Sequence, residues 1–313
     1  MEEVVKPVKQ RRRLIRKNSI FSRQNIFVAF LLAPYLIIFT TFFIYPFLYG
    51  ILISLFRWNI FNPDASRFVG LENFQKILFG VGEITLWKDR FWEGLRNTVT
   101  FVLISVPLLI VIPLVIAVLL DIEPRFYKVF RVIFFLPTIL SVSAVSIIFK
   151  WQFDTNYGFV NALLGTNIAW LNTQPGAWIA ILVTTVWWTI GTNTVIYSAG
   201  LKEVDRQLYE AAEIDGCNYF RLVWHISLPS IRQQLFLTLI TTTIASFGIY
   251  GQADILTGGG PQRSTTVLMM VIRGLLTGAN AQPGLAAAMA LVLGLLIILI
   301  GVLQNIYYKR KGA

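Results

Sequence analysis

Six long uncharged stretches dominate the sequence and limit what it can fold into. A helix that crosses the hydrocarbon core of a bilayer needs about 20 apolar residues. Charged residues make up only 14% of the chain, whereas soluble proteins carry about 25%. The chain is therefore predicted to be an all-α integral membrane protein. The stretches cover residues 27–56, 97–120, 132–149, 155–201, 233–253 and 274–308.

The stretches predict six transmembrane helices. The first half of 155–201 is rich in Gly, Asn, Thr and Pro, which favours a loop before a single span. The run from Phe27 to Phe56 is too long for the apolar region of a signal peptide, and no A-x-A-like pattern follows it, so we expect a retained first span. The expected helices cover about 27–56, 97–120, 131–150, 177–200, 233–252 and 285–308.

Lysine and arginine are unequally divided between the two sides that six spans would create. Eighteen of the 27 fall on the side of the two termini, eight of them in residues 1–26. The positive-inside rule then places both termini in the cytoplasm. The same rule accounts for the net charge of +11, so nucleic acid is not expected as a partner. The basic run at 11–17 is expected to contact anionic membrane lipid.

Residues for several kinds of chemistry are scarce. A single cysteine, Cys217, excludes an internal disulfide, and with a single histidine, His225, it leaves too little for a His/Cys metal site. No G-x-x-x-x-G-K-[ST] pattern occurs, so the chain is not expected to hold nucleotide phosphates in a P-loop. We predict no catalytic residue, no metal site and no cofactor bound by this chain.

A charged segment, EAAEIDGCNYFRLVWHISLP at 210–229, follows the fourth span. Asp205 is predicted to cap a helix that Gly216 ends, and a second short helix is predicted to run to Pro229, where it stops. The apolar face of the first helix is predicted from residues three and four apart, namely Leu201, Val204, Leu208, Ala211 and Ala212.

Two roles are open for this segment. It could be an amphipathic connector on lipid headgroups, or a helix that docks into a groove on another protein. Its mixed acidic and basic residues favour docking, because anionic lipid selects faces dominated by Lys and Arg. Gly216 could also be an ordinary helix C-cap with no further role.

The segment resembles the EAA motif of permease subunits of binding-protein-dependent ABC importers. Three further stretches resemble the sugar-importer branch, in the subunit similar to the larger maltose-type permease: APYLIIFTTFFIYPFLYGILISLFRWN (33–59), FVGLENFQKIL (68–78) and LTGGGPQRST (256–265). The residues that match the EAA motif are Glu210, Ala211, Ala212, Asp215, Gly216, Ile226, Leu228 and Pro229.

The resemblance implies the type I ABC importer permease (MetI-like) fold and a carbohydrate uptake function. It also implies a heterodimer with a second homologous permease, two cytoplasmic P-loop ATPase subunits that bind ATP and Mg²⁺, and an extracytoplasmic solute-binding protein. Contact with the ATPase is expected at Glu210, Ala211, Ala212, Asp215 and Gly216. The expected location is the cytoplasmic (inner) membrane of a bacterium or archaeon.

The resemblance divides the chain into functional regions. Residues 1–26 are expected to be a cytoplasmic tail, 27–92 the first span with an external loop, and 93–308 the transport core. The core includes the coupling segment at 201–232, and residues 309–313 form a second cytoplasmic tail.

Polar residues inside the spans are candidates for the solute path. Thr242, Ser246 and Tyr250 are spaced to form one stripe on the fifth span, and the resemblance places Thr242 and Ser246 on a sugar-binding face. Trp188, Thr192 and Asn193 are comparable candidates on the fourth span. The alternative is that these residues only pack helices together, and that the tryptophans form an interfacial belt.

Three prolines within the spans, Pro107, Pro113 and Pro137, are expected either to act as hinges or to fix static bends. The apolar run from Val267 to Leu276 is too short to cross a bilayer and is expected along the outer surface.

Two rival functions are weighed against the importer. A secondary transporter that works without an ATPase would need ion-coupling carboxylates inside its spans, and the predicted span interiors contain none. An integral membrane enzyme would need a catalytic constellation, which one histidine and one cysteine do not supply.

Overall fold

The computed structural model describes residues 23–59, 62–81, 85–277 and 281–312, so the expectations for the basic tail at 1–22 lie outside the described residues. The chain divides into two compact units, 1–50 and 51–313. The elements up to the second long helix are α1 Arg23–Phe39, a π-helical turn Thr40–Ile44, α2 Tyr45–Ser54, β1 Phe56–Arg57, β2 Arg67–Phe68, α3 Glu72–Phe79 and α4 Leu86–Asp121.

Two short antiparallel strands, β1 and β2, form the one sheet in the described part of the chain. All the elements that follow α4 in the described chain are helical. The helices that follow α4 are α5 Tyr127–Phe135, α6 Val142–Gln152, α7 Phe159–Leu164, α8 Gly176–Lys202, α9 Arg206–Ile214, α10 Tyr219–Leu222, α11 Leu228–Ser230, α12 Arg232–Phe247, α13 Gly251–Thr257, α14 Leu268–Gly274 and α15 Pro283–Gly312.

Four helical stretches of the described chain are long and apolar enough to cross a bilayer, and six result if each bent helix pair counts as one span. The four are Phe27–Ser54, Leu86–Asp121, Gly176–Lys202 and Pro283–Arg310. Helix α4 begins eleven residues before the predicted start of the second span. The reason is that its first turns are amphipathic, with Phe91 and Leu95 buried in the core, so the charged residues there do not end the helix.

The prediction of one continuous third span is wrong. Helix α5 continues as a 3₁₀ turn to Ile139, and α6 then starts at an angle of 104° to it. Pro137 lies in the 3₁₀ turn, and Leu140 is extended. The Ser141 hydroxyl caps α6 by accepting from the Ala144 amide at 3.2 Å. A proline followed by a good N-cap residue therefore starts a new helix instead of bending one.

The predicted continuous fifth span is also wrong. Helix α12 ends at Phe247, and α13 starts at Gly251 with a bend of 46° between the two. Gly248 lies at the end of α12, and Tyr250 has a backbone conformation outside the helical region. The polar stripe that the sequence predicts is interrupted before Tyr250.

The buried core forms where α4 meets α8, α12 and the C-terminal helices. One cluster joins α3, α4, α14 and α15, and it includes Leu268, Val271 and Ile272 from the run expected along the outer surface. That run is therefore packed into the core on one face. Gly94 allows this close crossing, because a Cβ there would lie 3.1 Å from the Leu268 Cα.

Helix α8 also packs against the break in the third span through a glycine. A Cβ on Gly191 would lie 2.5 Å from the Phe134 carbonyl oxygen and 2.7 Å from the Phe135 Cα. We predict that Gly191→Ala lowers the stability of the purified protein by about 1–3 kcal/mol, because backbone atoms must move to accept the methyl group. The measurement is the thermal unfolding midpoint in detergent.

The matched control is Gly294→Ala in α15, where no atom lies within 4 Å of the position that the new methyl group would take. Alanine favours a helix over glycine by about 1 kcal/mol, so this variant should be at least as stable as the parent. Equal midpoints for the two variants would contradict the packing described for Gly191.

Candidate functional site

The coupling segment, residues 201–232, contains an exposed helix that the rest of the described chain does not cover. Helix α9 has no buried residue, and Glu210, Ala211, Asp215 and Gly216 are all exposed, with Ala212 half-buried. The Asp205 carboxylate accepts from the Gln207 amide at 3.0 Å, so the predicted N-cap is confirmed.

Gly216 ends α9, as the sequence predicts. Its φ of +77° is left-handed, and its amide donates to the Glu213 carbonyl at 3.0 Å. A Cβ at this position would have no atom within 4 Å. The backbone conformation favours glycine, while the surrounding space is open.

Two details of the predicted segment are wrong. Leu201 belongs to α8 and Val204 precedes the N-cap of α9, so neither shares a face with Leu208. Pro229 does not stop the second helix, because a π-helical turn, Val223–Ser227, leads into α11, which contains the proline. Proline is tolerated at the first turn of a helical segment, where its missing N–H has no required acceptor.

The segment is tied to the spans at Tyr219 and at its end. The Tyr219 hydroxyl donates to the Val118 carbonyl of α4 at 3.0 Å. Val118 lies in the last turn of that helix, where carbonyls lack helical donors. Burial raises the pKa of Tyr219, and the nearby Asp121 and Tyr209 raise it further, so the hydroxyl keeps its proton at neutral pH.

The predicted solute-path residues all line a single cavity of about 470 Å³. The cavity lies between α4, α8, α12 and the start of α13. Thr242, Ser246 and Asn193 are buried in its wall, whereas Thr192 is exposed. The sequence thus identified residues that the structure brings together from α8, from α12 and from the break that follows α12. The six are Trp188, Thr192, Asn193, Thr242, Ser246 and Tyr250.

Asn193 forms the central contact of this wall. Its side-chain amide donates to the Leu109 carbonyl at 2.8 Å and to the Thr242 hydroxyl at 3.1 Å. The Leu109 carbonyl is available because Pro113, four residues later on α4, has no N–H to donate to it. The amide of Asn193 therefore replaces a helical hydrogen bond and fixes α8 against α4 and α12.

Trp188 has an equivalent role at the break in the third span. Its indole N–H donates to the Leu140 carbonyl at 2.9 Å, where the backbone is extended between the 3₁₀ turn and α6. Trp187 instead contacts the Phe149 ring, with centroids 5.2 Å apart. One tryptophan faces the cavity, and its neighbour packs on α6.

Tyr250 is held by charged residues from two helices. Its hydroxyl donates to Asp254 at 2.7 Å and accepts from Arg273, whose guanidinium lies 5.1 Å from the centre of the tyrosine ring. Arg273 and Asp254 also form an ion pair at 3.3 Å. The position of Tyr250 in the cavity wall depends on this cluster and not on a helical stripe.

Sequence reasoning missed several polar residues in the same wall. Gln252 is buried, with 7% of its surface exposed, and its amide makes no hydrogen bond to any residue in the described part of the chain. In a continuous helix Gln252 would point away from the stripe of Thr242, Ser246 and Tyr250, so its place in the cavity wall depends on the break in the fifth span. The others are Thr185, Thr189 and Thr241.

The chain is similar to known membrane transport proteins. A family model described as "Binding-protein-dependent transport system inner membrane component" matches residues 77–312. The lactose transport system permease protein LacF of Rhizobium radiobacter is 30% identical over 283 residues, which cover 87% of this chain and 90% of that protein. The diacetylchitobiose uptake system permease protein NgcF of Streptomyces coelicolor is 31% identical and covers 95% and 86%.

A solved structure shares the fold. The bacterial alginate ABC transporter in complex with alginate pentasaccharide-bound periplasmic protein contains a chain with a TM-score of 0.74 and 19% identity to this one, covering 92% of this chain and 96% of that chain. The predicted type I importer permease fold is thereby confirmed. The chain is a multi-pass membrane protein, and it belongs to the family of binding-protein-dependent transport system inner membrane components.

Proposed function

We propose that this chain is the translocation subunit of an ATP-driven importer for a sugar or a related solute. It forms half of the translocation pathway and couples to a separate ATPase through α9. The observation that carries the proposal is the pairing of a cavity lined by both apolar and polar side chains with an exposed helix that begins four residues after α8 ends.

The cavity suits a small polyhydroxylated solute. Its volume of about 470 Å³ lies within the range of about 300–1,000 Å³ for small-molecule sites. Threonine hydroxyls and the Gln252 amide supply donors and acceptors, while Phe101, Trp188 and Tyr250 supply rings for the apolar faces of a sugar. The relatives named for lactose and diacetylchitobiose uptake support a carbohydrate class.

The coupling segment supplies the second half of the function. Two P-loop ATPase subunits bind ATP and its Mg²⁺, and each binds the coupling helix of one permease in a groove. In this chain that helix is α9. Glu210 makes polar contacts there, Ala211 and Ala212 permit close approach, and Asp215 and Gly216 let the chain turn away. A second homologous permease and an extracytoplasmic solute-binding protein complete the assembly.

The regions follow from this assembly. Both termini and the coupling segment at 201–232 face the cytoplasm, in keeping with the excess of Lys and Arg on that side. Residues 1–26 and 309–313 are the cytoplasmic tails, 27–92 holds the first span and its external loop, and 93–308 is the transport core. Helix α4 runs unbroken across 92 and 93, so that boundary separates functions and not folding units.

Gly216→Asp tests the coupling role. We expect normal membrane insertion, loss of solute uptake and loss of co-purifying ATPase, because a charged side chain would occupy the surface that the ATPase covers. The measurement is uptake by cells that carry the complete transporter, together with recovery of the ATPase on affinity purification.

The matched control for that variant is Gly165→Asp. Gly165 ends α7 with a φ of +64°, and like Gly216 it has no atom within 4 Å of a Cβ position. Both variants carry the same backbone cost of about 1–2 kcal/mol. If the Gly165 variant loses the ATPase as well, backbone strain and not docking explains the defect.

Gln252→Leu tests the cavity. Replacing an amide that bonds no residue in the described part of the chain by an apolar side chain should leave the thermal midpoint unchanged or raise it. If Gln252 binds solute, we expect the KM for uptake to rise about tenfold or more, since one good polar contact is worth roughly 1.5 kcal/mol. Uptake kinetics and the thermal midpoint are measured on the same preparations.

The control for this experiment is Gln233→Leu, which changes an exposed glutamine of α12 that does not line the cavity. It should keep the parent KM. An unchanged KM for Gln252→Leu would remove that amide from the solute site, and a fall in its thermal midpoint would give it a packing role instead.

A further inference from the structure

Paired polar side chains join α8 and α12 at a constant register. Asn193 donates to Thr242 at 3.1 Å, and one turn further the Tyr197 and Thr238 hydroxyls lie 2.6 Å apart. Each step moves four residues forward on α8 and four back on α12, as neighbouring turns of antiparallel helices do. We name these two pairs the α8–α12 polar row.

The polar row runs from the cavity wall, which Asn193 and Thr242 line, towards the coupling segment. One turn towards the cavity the same register brings Thr189 opposite Ser246, and both line the cavity wall. In the other direction Gly200, three residues after Tyr197, meets Gln234, where a Cβ on the glycine would lie 2.9 Å from the glutamine Cδ. Helix α8 then ends at Lys202, and the coupling segment follows it.

The base of the coupling segment packs directly on this row. Ile231, which directly precedes α12, is buried in a cluster with Tyr197, Leu201 and Ala117 of α4, and Leu228 of α11 packs against the same cluster. A displacement of the coupling segment therefore also displaces Tyr197, which belongs to the second pair of the row.

The second pair resists separation because it is closed to water: Tyr197 and Thr238 are both fully buried. The Thr238 hydroxyl also donates to the Gln234 and Leu235 carbonyls of its own helix, each at 3.0 Å, whereas the Tyr197 hydroxyl is bonded only to Thr238 among the described residues. Separating the pair therefore costs the full desolvation of the buried tyrosine hydroxyl. The Asn193 contact with the Leu109 carbonyl adds α4 to the same unit. The three helices are thus held together from the base of the segment to the cavity wall.

We propose that Tyr197 and Thr238 are positioning residues that transmit movement of the coupling segment to the cavity. Breaking their hydrogen bond lets α8 slip against α12, so that the segment moves while the cavity wall does not follow. This inference rests on the proposed function, since it assumes that an ATPase moves the segment.

A reporter in the cavity tests the inference without a known solute. The exposed Thr192 is changed to cysteine in a Cys217→Ser background, which leaves one thiol in the chain. In the complete transporter in vesicles, the labelling rate of that thiol by a water-soluble maleimide is compared with and without Mg-ATP and vanadate. We expect nucleotide to change the labelling rate in this parent. With Tyr197→Phe added, the ratio of the labelling rate with nucleotide to the rate without it should move towards one.

Thr238→Val breaks the same pair from the other side and should give the same result. Its matched control is Thr184→Val on α8, because Thr184 is equally buried and its hydroxyl bonds only the Ala180 carbonyl of its own helix. That control should keep the nucleotide response of the parent.

The outcomes separate the two proposals. If nucleotide does not change the labelling rate in the parent, the proposed ATP-driven function itself is contradicted. A parent that responds, with Tyr197→Phe and Thr238→Val responding equally, overturns only the transmission role. Failure of both variants to assemble, beside an intact Thr184→Val transporter, also overturns it, because the pair would then serve folding.

Discussion

The bonding of the Leu109 carbonyl links three helices. Pro113 has no N–H to bond this carbonyl, and inside a bilayer there is no water to replace the missing donor. Asn193 supplies the missing donor and uses its second N–H on Thr242, so a single side chain fixes α4, α8 and α12. The cavity wall and the α8–α12 polar row are both built from this junction.

The same solution appears at the break in the third span. Helix α6 starts afresh at an angle of 104° to the preceding helix, and the Leu140 carbonyl between them is bonded by the indole of Trp188. A broken span survives in hydrocarbon only where neighbouring side chains bond its freed backbone groups. Both compensating side chains, Asn193 and Trp188, come from α8 and lie in the cavity wall, so the residues that hold the fold together also shape the site.

The sequence predicted most of the span positions, and the six residues that it nominated for the solute path all line one cavity. Both kinds of prediction use local properties: the length and apolarity of a run, and the polar residues within it. Prediction from the sequence failed at the breaks. Pro137 and Ser141 together start a new helix, and Gly248 with Tyr250 interrupts the fifth span, yet each residue alone is also found in merely bent helices. Gln252 was missed for that reason. The Asp254–Arg273 cluster was missed because its members lie 19 residues apart and meet only after α13 and α14 fold.

Helix α9 has no buried residue; Tyr209 and Ala212 are half-buried, and the Tyr209 hydroxyl lies 3.0 Å from that of Ser227. Its other side chains are exposed, so fewer packing demands constrain their identity than constrain α8 and α12. On the proposed function, the surface of α9 and the wall of the cavity can vary separately over evolution. A transporter of this design can acquire a new solute and keep its ATPase, or keep its solute and share an ATPase with related transporters.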